Sequence, residues 1–557
     1  MKETEINIEI THPELWILLT VMIITLIGFP PFVKLLYNMP SGLEFAEFPG
    51  ELYTTLLSPI SFGDEGYHTR MAQYIMQNTE YPVWTYFEGT KFEMEGFYRP
   101  PLYNILQAGF LFLLGFNEIW VKLLVPLISF VLGIAVYILV KKIYNKRIAL
   151  LTAIISTTLP SFVTYSVLFY ADILATFYVI LFFLLFILAR RDENKKYMLL
   201  AGIFGALAFL TKITALAIYP FIAVVLLFDF INRKNIKEIF YKYIPLIIPL
   251  ILIPSTLFLR NIYYYHNPTC YALPILNLID RSGCWIKEFK AEYNFTARVA
   301  QVGTEQNIFS MGIINYLEFA YGPIWFIILT FICGMLLLFV KNDPNRLLIW
   351  TYLATIILIL IPATVRAEDT ARWTLEWLPV IVLVSSIYLD EVYLFIRKYV
   401  KTFALIMFVL VILFGIEMLS IKASSMWQIK QFSTLFFDAC NWIKQNTPKD
   451  SLIMTVWVHR AVYNCQRNGV GNMADISISQ DVEHILSTAK ENGITHLFIQ
   501  KFSLSNTAYA ESYTVDFVRL LQNNPDHFKV IYENGPSLDQ CIQQGGCDGN
   551  IVYEIVF

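Results

Sequence analysis

Hydrophobic positions along most of this chain do not alternate with polar ones; they run on, broken only by short charged turns. Apolar stretches lie at about 15–37, 119–140, 148–168, 171–189, 198–212, 213–231, 243–262, 321–340, 347–363, 377–396 and 402–421. A helix needs roughly 20 apolar residues to cross ~30 Å of hydrocarbon, so these stretches predict about eleven membrane spans. The first of them follows the acidic stretch MKETEINIEITHPE and lacks a small-residue cleavage site, so Leu15 to Phe29 reads as a retained span. A shorter apolar piece, Leu102 to Phe116, follows Pro100-Pro101. It is too short to cross and reads as a re-entrant or interfacial helix.

Charge fixes the sidedness. With 102–116 left out of the count, the basic loops KKIYNKR (141–147), RRDENKK (190–196), NRKNIKEIFYK (232–242), KNDPNR (341–346) and IRKYVK (396–401) share one face. The positive-inside rule makes that face cytoplasmic. The opposite, extracytoplasmic face carries a long first loop (38–118), a second long loop (263–320), the loop 363–377 and the tail. Transmembrane residues 1–421 and an extracytoplasmic domain of residues 422–557 are thereby expected. In the tail the pattern becomes that of a small α/β unit. SLIMTVW, THLFIQ, FKVIYEN and NIVYEIVF read as strands, and VEHILSTAKENG and TVDFVRLLQNN as helices ended by Gly or Asn.

Composition agrees with a membrane protein: of 557 residues 56% are hydrophobic and only 15% charged, more apolar surface than one soluble core could hide. The net charge of −3 offers no basic field for a phosphate backbone, which excludes nucleic acid as a partner. Cys333 lies in a span, while Cys270, Cys284, Cys440, Cys465, Cys541 and Cys547 all fall on the outer side, where disulfides persist. Cys270–Cys284 and Cys541–Cys547 are the natural local pairs, leaving Cys440 and Cys465.

Charged side chains near the outer ends of spans carry the candidate chemistry, because a charge at bilayer depth costs roughly 2.5–3.5 kcal/mol on insertion scales unless it is paired or hydrated. The first loop holds Asp64, Glu65, His68 and Arg70 in SFGDEGYHTR, and Arg99 further on. Asp172 opens a span in FYADILATFY, Lys212 sits in the turn FLTKITA, and Arg260 ends a span in LFLRNIYYYHNP. Arg366, Glu368, Asp369, Arg372 and Glu376 crowd the loop before the tenth span. Carboxylates beside several cations suit an anionic, lipid-attached substrate such as a polyprenyl phosphate. A carboxylate can take the proton of an incoming hydroxyl, and cations can stabilise charge growing on a leaving phosphate. One carboxylate base, with the acceptor attacking opposite the leaving group, would invert the anomeric centre. Each residue also has a plainer reading. Asp64 and Glu65 can cap a helix, and Asp172 can do the same. Lys212 and Arg260 can snorkel, His68 can line a polar wall, and Arg372 with Glu376 can form a helix-surface ion pair.

At these residues the chain resembles the GT-C superfamily of lipid-phosphate-sugar-dependent glycosyltransferases, and within it the protein O-mannosyltransferase and aminoarabinose-transferase-like branch. The matching pieces are DEGYHTRMAQYI (64–75), YRPPLYNILQAGFLFLLG (98–115), Asp172, GIFGALAFLTK (202–212), RNIYYYHNP (260–268) and ARWTLEWLP (371–379). The resemblance implies an α-helical polytopic membrane protein of GT-C fold with a small C-terminal α/β soluble domain. It implies a polyprenyl- or dolichyl-phosphate sugar donor, a protein, lipid or glycan acceptor, and surrounding membrane lipids as partners. It implies Asp64 as catalytic base with Glu65 beside it, Lys212, Arg260 and Arg372 on the donor phosphate, and His68, Arg99, Asp172 and Arg366 in support. Participation of a divalent metal, Mg²⁺ or Mn²⁺ held by Asp64 and Asp172, is left open. Oligosaccharyltransferase relatives use such a metal and carry a WWDYG signature at the start of the soluble domain, where this chain reads MTVWVHRAVYN. Oligosaccharide transfer to Asn is therefore the in-class rival. A lipid-linked-sugar transporter or flippase is the rival of another class, which would place its charges at the midplane of broken spans.

Overall fold

The computed structural model describes residues 63–79, 100–115, 118–159, 162, 165–166, 170–233, 236–266, 325–360, 375–399 and, with short interruptions, 434–557. The helices of the first part are α1 (Gly63–Asn78), α2 (Leu102–Leu114), α3 (Glu118–Ile143), α4 (Lys146–Thr158), α5 (Asp172–Arg191) and α6 (Lys195–Thr211). After a 3₁₀ turn (Ile213–Ala217) come α7 (Ile218–Arg233), α8 (Ile236–Tyr265), α9 (Trp325–Val340), α10 (Arg346–Leu360) and α11 (Leu378–Tyr399). Among the described residues five helices are long and apolar enough to cross a membrane. They coincide with five of the apolar stretches read from the sequence. The stretches at 15–37 and 402–421 lie outside the described residues. At 13 residues and a rise of about 1.5 Å per residue, α2 is too short to cross, as its length in the sequence suggests. Its outer side exposes Ile105, Phe112 and Leu113, while Tyr103, Asn104, Gln107, Ala108 and Leu111 are buried.

Asparagines start two of the helices. Asn145 Oδ1 accepts from the amides of Arg147 (2.9 Å) and Ile148 (3.0 Å), and Asn194 Oδ1 from those of Lys196 (2.8 Å) and Tyr197 (3.4 Å). These side chains satisfy first-turn amides that have no helical partner. Inside the bundle α5 is buried along nearly its whole length and packs on α3 and α6, and α6 packs in turn on α8. The α6–α8 approach depends on Gly202, where an added Cβ would strike the carbonyl of Leu246. Pro245, Pro249 and Pro254 all lie inside α8; neighbouring groups in a membrane bundle can satisfy the carbonyls that proline frees.

Ion pairs tie one end of the bundle together. Arg190, at the end of α5, grips Asp229 of α7 with two nitrogens at 2.9 Å, and Tyr243 of α8 donates to the same carboxylate at 2.6 Å. Arg147 and Asn145, at the start of α4, bond to Asp390 of α11 at 2.6 and 3.1 Å. Lys341 pairs with Glu391. The basic turns 141–147, 190–196 and 341–346, and the residues around Asp229 and Lys242, therefore sit at one end, as the helices' alternation requires.

The tail forms a five-stranded mixed sheet of order β2-β1-β3-β7-β6, with β1 (Leu452–Met454), β2 (Asn468–Val470), β3 (His496–Gln500), β6 (Phe528–Asn534) and β7 (Asn550–Ile555). β2, β1 and β3 run parallel, and β7 pairs antiparallel with β3 and β6. A separate short pair joins β4 (Leu504–Ser505) to β5 (Tyr513–Thr514). Around the sheet lie α12 (Thr434–Asn446), α13 (Val458–Cys465), α14 (Ala474–Ser477), α15 (Val482–Glu491), α16 (Val515–Asn523) and α17 (Leu538–Gln543). The strands and helices read from the sequence are present. Disulfides join Cys440 to Cys465 and Cys541 to Cys547, while Cys270 and Cys284 lie outside the described residues. Cys333 is a free thiol on α9. α13, pinned to α12 by the first disulfide, packs against α1.

Candidate functional site

Three polar residues read from separate parts of the sequence meet at the end of the bundle opposite the basic turns. Asp172 is the first residue of α5; Ala171, not Asp172, is the helix cap. Lys212 is an extended residue that breaks α6 from the 3₁₀ turn, and Glu376 lies just before α11. Lys212 Nζ sits 2.6 Å from Asp172 Oδ1 and 3.6 Å from Glu376 Oε1. Thr214 Oγ1 donates to the same Glu376 oxygen, and Tyr352 OH donates to the Glu376 carbonyl at 3.2 Å. Asp172 is only 1% exposed and Glu376 3%.

Electrostatics follow from this burial. Removal from water pushes the Glu376 carboxyl above its ordinary value, while the Lys212 charge and the Thr214 hydrogen bond pull it down and the Asp172 charge raises it again. One ammonium facing two carboxylates leaves a net negative charge unless Glu376 holds a proton. Glu376, which also reads from sequence as half of a surface pair with Arg372, is instead buried and bonded to Thr214.

The same end gathers other elements. Leu102, at the start of α2, packs against the cluster that Phe209 and Leu210, beside Lys212, form with Leu257 of α8. Arg260, one turn further along α8, holds its guanidinium 5.6 Å above the Tyr264 ring. On α1, His68 Nδ1 lies 2.7 Å from Asn104 Oδ1 of α2, and its ring meets Tyr103 edge-on at 4.8 Å. Asp64 and Glu65 occupy the first turn of α1; their side chains, and that of Arg70, lie outside the described residues. Arg99, Arg366, Glu368, Asp369 and Arg372 lie outside them altogether.

Sequence reasoning missed Thr214, Tyr352 and Asn104. Thr214 and Tyr352 reach Glu376 across long sequence separations, and no local pattern marks them. Asn104 stood in plain view as a polar residue in an apolar run, a signal that deserves a partner. Among the described residues no group of three His, Cys, Asp or Glu side chains is placed to hold a metal ion. Asp172 Oδ1 faces the Lys212 ammonium, and the side chain of Asp64, the other residue named for a metal, lies outside the described residues.

Residues 98–258 match the family model described as dolichyl-phosphate-mannose-protein mannosyltransferase. No curated protein sequence matches the chain. Among solved structures, the apo oligosaccharyltransferase of Archaeoglobus fulgidus is similar with a TM-score of 0.64 at 12% identity, over 96% of this chain and 81% of that one. The same organism's oligosaccharyltransferase AglB, in complex with an inhibitory peptide and a dolichol-phosphate, is similar with a TM-score of 0.57 at 14% identity, over 87% and 69%. Apo ArnT from Cupriavidus metallidurans is similar with a TM-score of 0.56 at 11% identity, over 91% and 96%. The fold is thus that of the GT-C glycosyltransferases, as the sequence resemblance implies. The family model covers residues 98–258 of the 557, and the structural matches, at 11–14% identity, share the fold.

Proposed function

We propose that this chain transfers a sugar from a polyprenyl- or dolichyl-type phosphate to an acceptor nucleophile at the extracytoplasmic membrane face, with Asp64 as base. The observation that carries this reading is the meeting, at one end of the bundle, of the α1–α2 pair, the Asp172–Lys212–Glu376 corner and Arg260. Of these, α2, Asp172 and Lys212 lie within residues 98–258, the segment matched by a family named for dolichyl-phosphate-mannose donors. Its position opposite the basic turns supports the extracytoplasmic assignment.

In the proposed step the Asp64 carboxylate accepts the acceptor hydroxyl proton as its oxygen bonds to the anomeric carbon. The bond from that carbon to the phosphate oxygen breaks, and the lipid phosphate departs with the electron pair, inverting the centre. Arg260 and Arg372 receive the growing phosphate charge. Lys212 is held by two carboxylates, so it contributes mainly by fixing Asp172 and Glu376 and reaches phosphate only if Glu376 is protonated. The helix α13, against the acid-bearing helix, supports an acceptor-facing role for the tail.

A second reading, transfer of a lipid-linked oligosaccharide to Asn, draws on the higher TM-score to the oligosaccharyltransferase. Transfer from radiolabelled dolichyl phosphate mannose, in detergent with and without EDTA, separates the two. Monosaccharide transfer that survives the chelator supports the first reading; transfer restored only by Mn²⁺ or Mg²⁺, and only from a diphosphate-linked oligosaccharide, supports the second. Asp64→Asn is expected to lower turnover at least ~100-fold, the scale of losing a general base, with membrane insertion intact. Turnover near that of the unsubstituted protein removes Asp64 from the base role.

A further inference from the structure

We propose that Asn104 is a positioning residue for the transfer reaction: acting through His68, it fixes the helix that carries Asp64 against the Lys212 end of the bundle. The proposal rests on the assignment of Asp64 as base and names how that base is held.

His68 follows Asp64 by four residues and Glu65 by three on α1, spacings that put side chains on one helix face. Beside the His68–Asn104 hydrogen bond, the α1–α2 contact includes the edge-on His68–Tyr103 ring pair and the apolar packing of Ala72 with Ala108 and Leu111. Apolar packing of that kind gives adhesion but little directional preference. The hydrogen bond from His68 Nδ1 to Asn104 Oδ1, at 2.7 Å, is directional. Both partners are buried, His68 at 7% exposure and Asn104 at 1%. A slide of α1 along α2 would strand a buried amide and a buried imidazole nitrogen without water, which opposes the slide strongly.

The second half of the link runs through α2 itself. Leu102, two residues before Asn104, packs against the cluster of Phe209, Leu210 and Leu257, and the first two of these, on α6, are followed directly by Thr211 and Lys212. From His68 of α1 to the residues preceding Lys212 there is thus a short path of packed and hydrogen-bonded residues. Displacing a catalytic group by about 1 Å can cost on the order of 100-fold in rate. A polar pair at this joint therefore bears on turnover while touching neither substrate.

The test compares Asn104→Leu, which keeps the size and removes the acceptor, with Asn104→Asp, which keeps an acceptor oxygen. With dolichyl phosphate mannose as probe, Asn104→Leu is expected to lose ~30–100-fold in kcat with the donor KM unchanged. Asn104→Asp is expected to stay within about threefold, and in a double-mutant cycle the losses of His68→Ala and Asn104→Ala should not add. Hydrogen–deuterium exchange over residues 63–70 needs no donor; it should rise at least about tenfold in Asn104→Leu and stay near the parent level in Asn104→Asp. Unchanged exchange in the Leu variant overturns the proposal, as do equal losses in the Leu and Asp variants or additive losses in the cycle. If Asp64→Asn is inactive while Asn104→Leu turns over normally, the base assignment stands and the positioning role fails. If Asp64→Asn is fully active, the base assignment fails independently of the exchange result.

Discussion

Lys212 shows how a single side chain can look like a substrate-binding cation in the sequence and serve first as a counter-ion in the fold. Its ammonium neutralises Asp172 and borders Glu376, both nearly inaccessible to water. Removing one partner of a buried pair typically costs about 3–5 kcal/mol because the other charge is left uncompensated. Lys212→Met is therefore expected to lower the thermal midpoint of the detergent-solubilised protein sharply. Combining it with Asp172→Leu should recover most of that loss, since an apolar pair can replace a buried ionic one. Differential scanning fluorimetry of the three variants checks this; a double variant no more stable than Lys212→Met would mean that the pair is not the source of the effect.

At the scale of elements, backbone proximity governs how helices meet, and α6 against α8 is the sharpest case. Gly202 has no room for a side chain beneath the Leu246 carbonyl. Gly202→Val must push α8 away or tilt it, and overpacking of this kind costs about 1–3 kcal/mol. The expected outcome is a lowered midpoint accompanied by weaker transfer, because Arg260 and Leu257 travel with α8. An unchanged midpoint would show that the bundle absorbs the methyl groups elsewhere. Much at this scale was legible beforehand. Uninterrupted apolar runs and Lys/Arg-rich turns mark α5, α7, α8 and α11, and the modest length of Leu102–Leu114 foretells a helix that stops short of crossing. The three-residue strands β1 and β2 are harder: β2, NGV, has too few residues to display a period. The polar corner was legible only as a set of suspects. Asp172, Lys212 and Glu376 announce themselves as charges near span ends, but which charges pair is decided by packing between segments, and Thr214 and Asn104 have no sequence signal for their partners.

For the molecule as a whole, the tail meets the helical bundle where α13 packs against α1. The Cys440–Cys465 disulfide joins α12 to α13 across 25 residues of sequence, and closing such a loop contributes typically ~2–4 kcal/mol. Replacing both cysteines by Ser is expected to destabilise the tail by about that amount. Through α13 it should also loosen α1, reducing transfer more than donor binding. Limited proteolysis of the tail alongside steady-state kinetics would measure both; a tail that becomes protease-sensitive with kinetics untouched would separate the domain from the reaction.

Helix α5 is tethered at both extremities: Asp172 to Lys212 at one, Arg190 to Asp229 at the other. Pushing this rod along its own axis by one helical repeat, about 5.4 Å, would rupture both tethers together inside a low-dielectric surround. The central post of the bundle is thereby denied piston-like travel, and any rearrangement at this end falls to the parts that lean against it.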